Sequence, residues 1–164
     1  VGVVLVHPQS EYGGAMHEQA NAAVERLLAG RDAAQVAIDT RLDVNETRLD
    51  SPRQVESLIA RMDAVVTTRL HGTVLAIKNG IPPLVIDPIA GGRKVIQQAR
   101  TIGWSAALTA DEITEERLSE ALDFCLSAEG RAEAVRIRAQ ALGAAAEARA
   151  SFAAAVGRAG EAEA

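Results

Sequence analysis

Aromatic residues are nearly absent from this chain: two Phe, one Tyr and one Trp among 164 residues. The core must therefore be aliphatic, and no stack of exposed rings is available to grip sugars or bases. Cysteine is represented once, by Cys125. No disulfide framework can form within the chain, which fits a reducing compartment. Basic charge is also scarce, with 17 Lys and Arg against 22 Asp and Glu, a formal net charge of −5 and a pI near 5.2. Nucleic-acid binding calls for a basic face, so no nucleic-acid partner is expected. No apolar run approaches the length of a membrane span. The opening VGVVLVHP has no basic lead of the kind that begins a signal peptide, and the expected location is the cytoplasm. Three scattered histidines and the lack of zinc-type Cys–His spacing leave neither a metal nor any other cofactor expected.

What is present is the material of one globular domain, 48% hydrophobic and 24% charged. Val1 to Val6 is a continuous apolar, β-branched run that reads as a strand buried on both faces. It already looks mid-strand at Val1, so a further segment is expected upstream. His7-Pro8 ends the strand and Tyr12-Gly13-Gly14 forms a loop. The next helix carries Met16, Ala20, Val24, Leu27 and Leu28 on one stripe, with Gly30 as its stop. Ala34 to Ile38 reads as a second strand, and Asp39 to Asp50 as an exposed loop. Ser51, Pro52 and Gln54 open another helix with capping-box spacing, burying Val55, Leu58, Ile59 and Met62. Ala64 to Thr67 is a third strand and Thr73 to Lys78 a helix closed by Asn79-Gly80. A fourth strand over Leu84 to Ile86 leads through Gly91-Gly92 into a helix from Arg93 to about Ile102. A weak strand over Ser105 to Leu108 follows. Thr114 caps a helix bearing Leu118, Leu122, Cys125 and Leu126, where the thiol reads as a small buried hydrophobe.

Strands alternating with helices predict a Rossmann-like α/β fold: a doubly wound, mostly parallel sheet of about five strands with helices on both faces. Residues 1–130 would form that domain. Residues 131–164 are Ala-rich and read as one long helix, with Val135, Leu142, Phe152 and Val156 on a stripe that packs on the domain or on a missing partner. In such sheets ligands bind beyond the carboxyl ends of the strands. That rule selects His7 to Gly14, Thr67 to Gly72 and Asp87 to Lys94.

Arg69 and His71 stand between a strand and a helix start, where the macrodipole disfavours cations by a few tenths to about 1 kcal/mol. Placing two there points to an anion between them, cradled by backbone amides. In extended chain, side chains two residues apart project to the same side. An Arg–carboxylate pair to a neighbouring loop, with the imidazole as a cap, is the plainer alternative. Arg93 and Lys94, after Gly91-Gly92, repeat the pattern at the next helix start. His7, Gln9, Glu11 and Tyr12 share the same rim. His17, near a helix start, reads as a surface residue.

The segment AVVTTRLHGTVLAIKNGIPPLVIDPIAGGRK, Ala64 to Lys94, resembles the C-terminal core of the polysaccharide pyruvyl transferase family. The shared elements are a strand, an R-L-H-G turn (Arg69 to Gly72), an apolar helix, a G-I-P step (Gly80 to Pro82), another strand and a lysine, Lys94. The likeness covers about residues 55 to 105. Members often carry an arginine after the first strand, where this chain reads His7-Pro8-Gln9. The resemblance implies the C-terminal half of a two-domain, GT-B-like transferase of cell-envelope polysaccharide synthesis. Such enzymes move pyruvate from phosphoenolpyruvate onto two hydroxyls of a sugar or glycan acceptor as a ketal. Carried over, Arg69 would bind the donor's phosphate or carboxylate and His71 would be the acid–base residue. Leu70 would offer backbone contacts, while Gly72, Arg93, Lys94 and His7 join the candidate binding residues from their place on the same rim. An N-terminal domain supplying acceptor contacts is implied to be missing, so the isolated fragment is expected to be inactive. Two other readings stand beside this one. The first is a nucleotide-sugar-binding GT-B glycosyltransferase domain, disfavoured because no acidic residue lies between Gly72 and Gly80. The second is a non-catalytic binding module.

Overall fold

The computed structural model describes residues 1–6, 16–41 and 47–162, the last six as backbone alone. His7, Gln9, Glu11, Tyr12 and the Gly13-Gly14 loop lie outside the described residues. Strand β1 (Gly2–Val4) is followed by α1 (His17–Ala29), β2 (Val36–Ala37), α2 (Pro52–Ile59), β3 (Val65–Thr67) and α3 (Leu70–Lys78). Then come β4 (Pro83–Asp87), α4 (Lys94–Thr101), β5 (Ala107–Thr109), α5 (Glu115–Leu126) and α6 (Ala128–Ala162). The five strands make one sheet in the order β2-β1-β3-β4-β5, and every pairing is parallel. The strand–helix alternation thus gives the doubly wound sheet that the sequence predicts.

Strand β3 is central and wholly buried because its residues alternate between two cores. Val65 points to a cluster with Val4, Ile38, Val55 and Ile59, beneath α2. Val66 points the other way, toward Ala20, Val24 and Leu28 of α1 and Leu118, Leu122 and Cys125 of α5. Both cores are aliphatic apart from Trp104, whose indole Nε1 donates to Pro83 O at 2.6 Å and whose ring meets Phe124 at 5.9 Å. Burial pushes the pKa of the Cys125 thiol up, reinforced by the charge of Glu133, so this sulfur packs and does not react. Among the described residues no helix is long and apolar enough to cross a membrane.

Three expectations are corrected. Helix α3 begins at Leu70 instead of Thr73. Thr73 lies inside the first turn, where its hydroxyl donates back to Arg69 O at 3.3 Å. Asp39 is buried, although it opens a polar loop, because it faces Arg69 across the sheet edge. Leu126 is exposed, at the end of α5. In α6 the stripe Val135, Leu142, Phe152 and Val156 faces solvent, which is compatible with the expected packing on a missing partner. Only the first turns of α6 reach the domain, through Ala134 and Ile137, while Arg131 donates to Gly80 O at 3.1 Å. Gly80 lies just before β4 begins, so α6 crosses the edge where strands start. A helix of 35 residues is roughly 50 Å long, and five strands about 4.8 Å apart cannot cover it.

Candidate functional site

The order β2-β1-β3-β4-β5 reverses direction between β1 and β3, and the crevice beyond that switch point is where α/β sheets take ligands. Threonines build the turn there. Thr68 donates its amide to Val4 O at 3.1 Å and its hydroxyl accepts from Val6 N at 2.8 Å. The hydroxyl of Thr67 donates to Val4 O and accepts from Arg69 N, both at 3.0 Å. These side chains extend the β1–β3 contact past the ladder and swing the chain into α3. Arg69 is the N-cap, still extended at φ −120° and ψ 138°, and among the described residues no side chain caps the helix. By helix geometry the amides of Leu70, His71 and Gly72 have no intrahelical acceptor.

Arg69 and His71 therefore do not share an extended segment: one residue is extended and the other helical. They nonetheless line one cavity of about 210 Å³, together with Leu70, Arg93 and Lys94. Gly72 does not line it. A β-carbon at Gly72 would collide with Thr67 Oγ1 and crowd Val4, so glycine is what lets α3 press against β3. His7 lies outside the described residues.

The side chain of Arg69 is only 13% exposed and faces Asp39, with Nη1 3.8 Å from Oδ1. Asp39 also accepts from Arg41 N at 2.9 Å. The Arg–carboxylate pair considered from sequence is thus present. It fixes the guanidinium at the cavity wall without removing it from the cavity.

The second helix start is built differently. Asp87, buried at the end of β4, accepts from the amides of Arg93, Val95 and Ile96 through Oδ2 at 2.7, 3.2 and 3.0 Å. Its Oδ1 accepts from Ile89 N at 3.1 Å. The carboxylate already fills the place an anion would take at α4. Gly91 and Gly92 both have positive φ, at 72° and 76°, and Gly91 N donates to Asp111 Oδ1 at 2.9 Å. Arg93 and Lys94 consequently contribute side chains to the rim, while their helix start is occupied from within. Asp39 and Asp87 escaped sequence reasoning because each caps or pairs across the fold. Their one visible signal is an acid immediately after an apolar strand.

His17 is a third residue missed, and here the surface expectation is overturned. It is 7% exposed, lines the same cavity, and has no hydrogen-bond partner at Nδ1 or Nε2 among the described residues. Each buried polar atom left in that state costs about 1–3 kcal/mol. The amide of Met16 donates to Pro88 O at 2.8 Å and seats the start of α1 against the loop after β4. A larger hollow of about 390 Å³ lies between α1 and α5. Its charged lining includes the exposed pair Arg26–Glu115, and none of Arg69, His71, Arg93 or Lys94 borders it.

A family model described as polysaccharide pyruvyl transferase matches residues 4–88, slightly over half of the chain. The chain belongs to the polysaccharide pyruvyl transferase family. No curated protein matches. The matched span runs from β1 to the end of β4 and includes Arg69, Leu70 and His71, while Arg93 and Lys94 fall just beyond it. Membership makes this a polysaccharide pyruvyl transferase-like domain, and a transferase by class with a sugar acceptor.

Proposed function

We propose that the cavity binds phosphoenolpyruvate and that the domain takes part in transferring its pyruvyl unit to a sugar hydroxyl pair as a ketal. One observation carries this reading: Arg69, His71, Arg93 and Lys94 converge on a single small cavity beside an uncapped helix start. A multiply charged anion is the ligand that such a wall favours. The volume of about 210 Å³ lies below the roughly 300–1,000 Å³ usual for drug-sized ligands, which suits a three-carbon phosphate better than a nucleotide sugar.

In this mechanism His71 delivers a proton to the methylene carbon of the donor, leaving C2 electrophilic. One sugar hydroxyl attacks C2. The bond from C2 to the phosphate oxygen then breaks, with Arg69 holding the departing phosphate. The second hydroxyl closes the ketal at C2. Of the two hydroxyl protons released, one replaces the proton delivered to carbon and the other leaves with phosphate. Histidine suits the task because its charge changes within about pH 5–8 in ordinary surroundings. An N-terminal domain bringing the acceptor, in a GT-B-like arrangement within the cytoplasm, belongs to this same proposal. Residues 1–130 would serve as the donor-binding unit, with the long helix beyond them as its connection.

Calorimetry decides the donor. Phosphoenolpyruvate and inorganic phosphate should bind, and binding should weaken as salt is raised, since the attraction is electrostatic. Tight binding of uridine or guanosine diphosphate with no response to phosphoenolpyruvate would replace this reading with the glycosyltransferase one.

A further inference from the structure

We infer that His17 is a ligand-contacting residue, the inner wall of the anion cavity, and that one of its ring nitrogens hydrogen-bonds a phosphate or carboxylate oxygen of the bound molecule. The inference rests on the proposed function only for the identity of that molecule. The residue itself is marked by its surroundings. Its imidazole is 7% exposed, neither nitrogen has a partner among the described residues, and it lines the cavity that holds Arg69 and His71. An imidazole has one N–H donor and one acceptor when neutral, and two donors when protonated. Buried polar groups are almost always satisfied in folded proteins. A leucine or phenylalanine would fill the same space with no such penalty. The unsatisfied ring is accounted for when an oxygen-rich ligand completes it.

The position of the ring is held from both sides. Met16 N donates to Pro88 O at 2.8 Å, and one turn further on Asn21 Nδ2 donates to Val6 O at 3.1 Å. Helix α1 is thereby tied to the loops after β4 and β1, the two strands that flank β3. Among the described residues no side chain caps α1, as none caps α3. His17 and Leu70, the first residues of these two helices, both line the cavity, and the capped start of α4 borders it as well. An anion lodged between the uncapped starts meets partial positive charge from both, with His17 as the buried donor and His71 as the exposed one.

The test is a set of variants titrated with inorganic phosphate, phosphoenolpyruvate and uridine diphosphate by calorimetry, with thermal unfolding in parallel. His17→Phe should keep or raise the melting temperature and weaken phosphoenolpyruvate binding by about 10- to 100-fold, the usual worth of a hydrogen bond to a charged group. His17→Gln, which keeps a donor, should recover part of that loss. Ring nitrogen shifts of His17 should move when phosphate is added. Should phosphoenolpyruvate fail and uridine diphosphate bind, the donor reading falls; weaker diphosphate binding by His17→Phe would still uphold this inference. If His17→Phe binds within about twofold of the native chain while Arg69→Ala does not, His17 is a packing residue and the inference is overturned. It is overturned equally if none of the three probes binds.

Discussion

Two helix starts face the same cavity, and the sequence writes both in the same way, as cations after a strand. At α3 the N-cap is Arg69, no carboxylate caps the helix among the described residues, and Asp39 engages the guanidinium from the side. At α4 the N-cap is Arg93, and Asp87 takes up three amides of the first turn. The macrodipole acts at both ends, but at α4 a fixed internal charge has already answered it. Cations beside a helix start therefore point to an external anion only where no internal carboxylate reaches the amides. By that criterion α3 is the binding end in the function proposed above, and α4 supplies a rim.

The largest expected effect breaks the comparison at α3. In the active enzyme His71→Asn should lower turnover by roughly 10²- to 10⁴-fold, the range for loss of a general acid–base residue, while donor affinity changes far less. Arg69→Ala should damage donor binding and turnover together, because the phosphate is held in both ground and transition states. Lys94→Ala, at the rim, should raise KM with little change in kcat. Near-normal turnover in His71→Asn would reduce that histidine to a cap or a binding group.

At α4 the expected effect falls on stability. Asp87→Ala strands the amides of Ile89, Arg93, Val95 and Ile96 and should cost about 2–4 kcal/mol by chemical denaturation. Loss of a surface cap would cost less, so a value below about 0.5 kcal/mol would mean that water replaces the carboxylate without penalty.

The fold was legible because β-branched runs and helical stripes are local. Val65–Thr67, the Ser51 cap and the Leu118–Leu122–Cys125 stripe lie where those patterns put them. Ser51 Oγ accepts from Gln54 N at 3.4 Å, although Gln54 reaches back to Asp50 N instead of to Ser51. Rossmann-like topology then brought Arg69, His71, Arg93 and Lys94 to one rim. What stayed hidden depends on contacts distant in sequence. Asp39 reaches Arg69 across 30 positions, and nothing within a helical turn of either announces it. Asp87 caps a helix from six residues upstream of Arg93, beyond the span of any local capping rule. His17 reads as a surface residue because burial of a first-turn side chain depends on what the tertiary fold lays over it.

Two glycines sharpen the same contrast at smaller cost. Gly72→Ala drives a methyl group into Thr67 and should cost about 1–3 kcal/mol, as overpacking does. Because Thr67 also positions Arg69 N, phosphate affinity should fall with stability. At Gly91 a β-carbon meets nothing within 4 Å, but φ is 72°. Gly91→Ala should therefore cost only about 1 kcal/mol of backbone strain and leave the cavity wall intact. Equal losses of phosphate affinity in the two variants would show that the Gly91-Gly92 turn, and with it α4, matters to binding as much as α3 does.

The smallest effect is expected from acid, and it separates the two starts by their chemistry. The carboxyl of Asp111 is held below its ordinary range, first by the Gly91 amide and then by the Thr109 side chain. Glu112 is lowered too, chiefly because its Oε2 accepts from Thr109 N at 3.0 Å and Thr109 Oγ1 at 2.8 Å. Free Asp and Glu titrate near about 3.9 and 4.3. A carboxylate whose folded pKa is depressed stabilises the fold fully above the unfolded value and loses that contribution as pH falls through the folded one. The anchoring of the Gly91-Gly92 turn should thus be unchanged from neutrality to about pH 5 and loosen progressively below about pH 4. Asp111 is exposed and Glu112 half-buried, so global stability should shift little. An amide NMR titration reads the local event directly. The Gly91 resonance should move with Asp111 at a midpoint below that of a free aspartate, while Leu70 N–H, which meets no carboxylate among the described residues, should not follow it. Asp111→Asn should flatten the Gly91 titration, and a Gly91 midpoint at or above the free value would mean that the Asp111 contact does not hold the turn in solution.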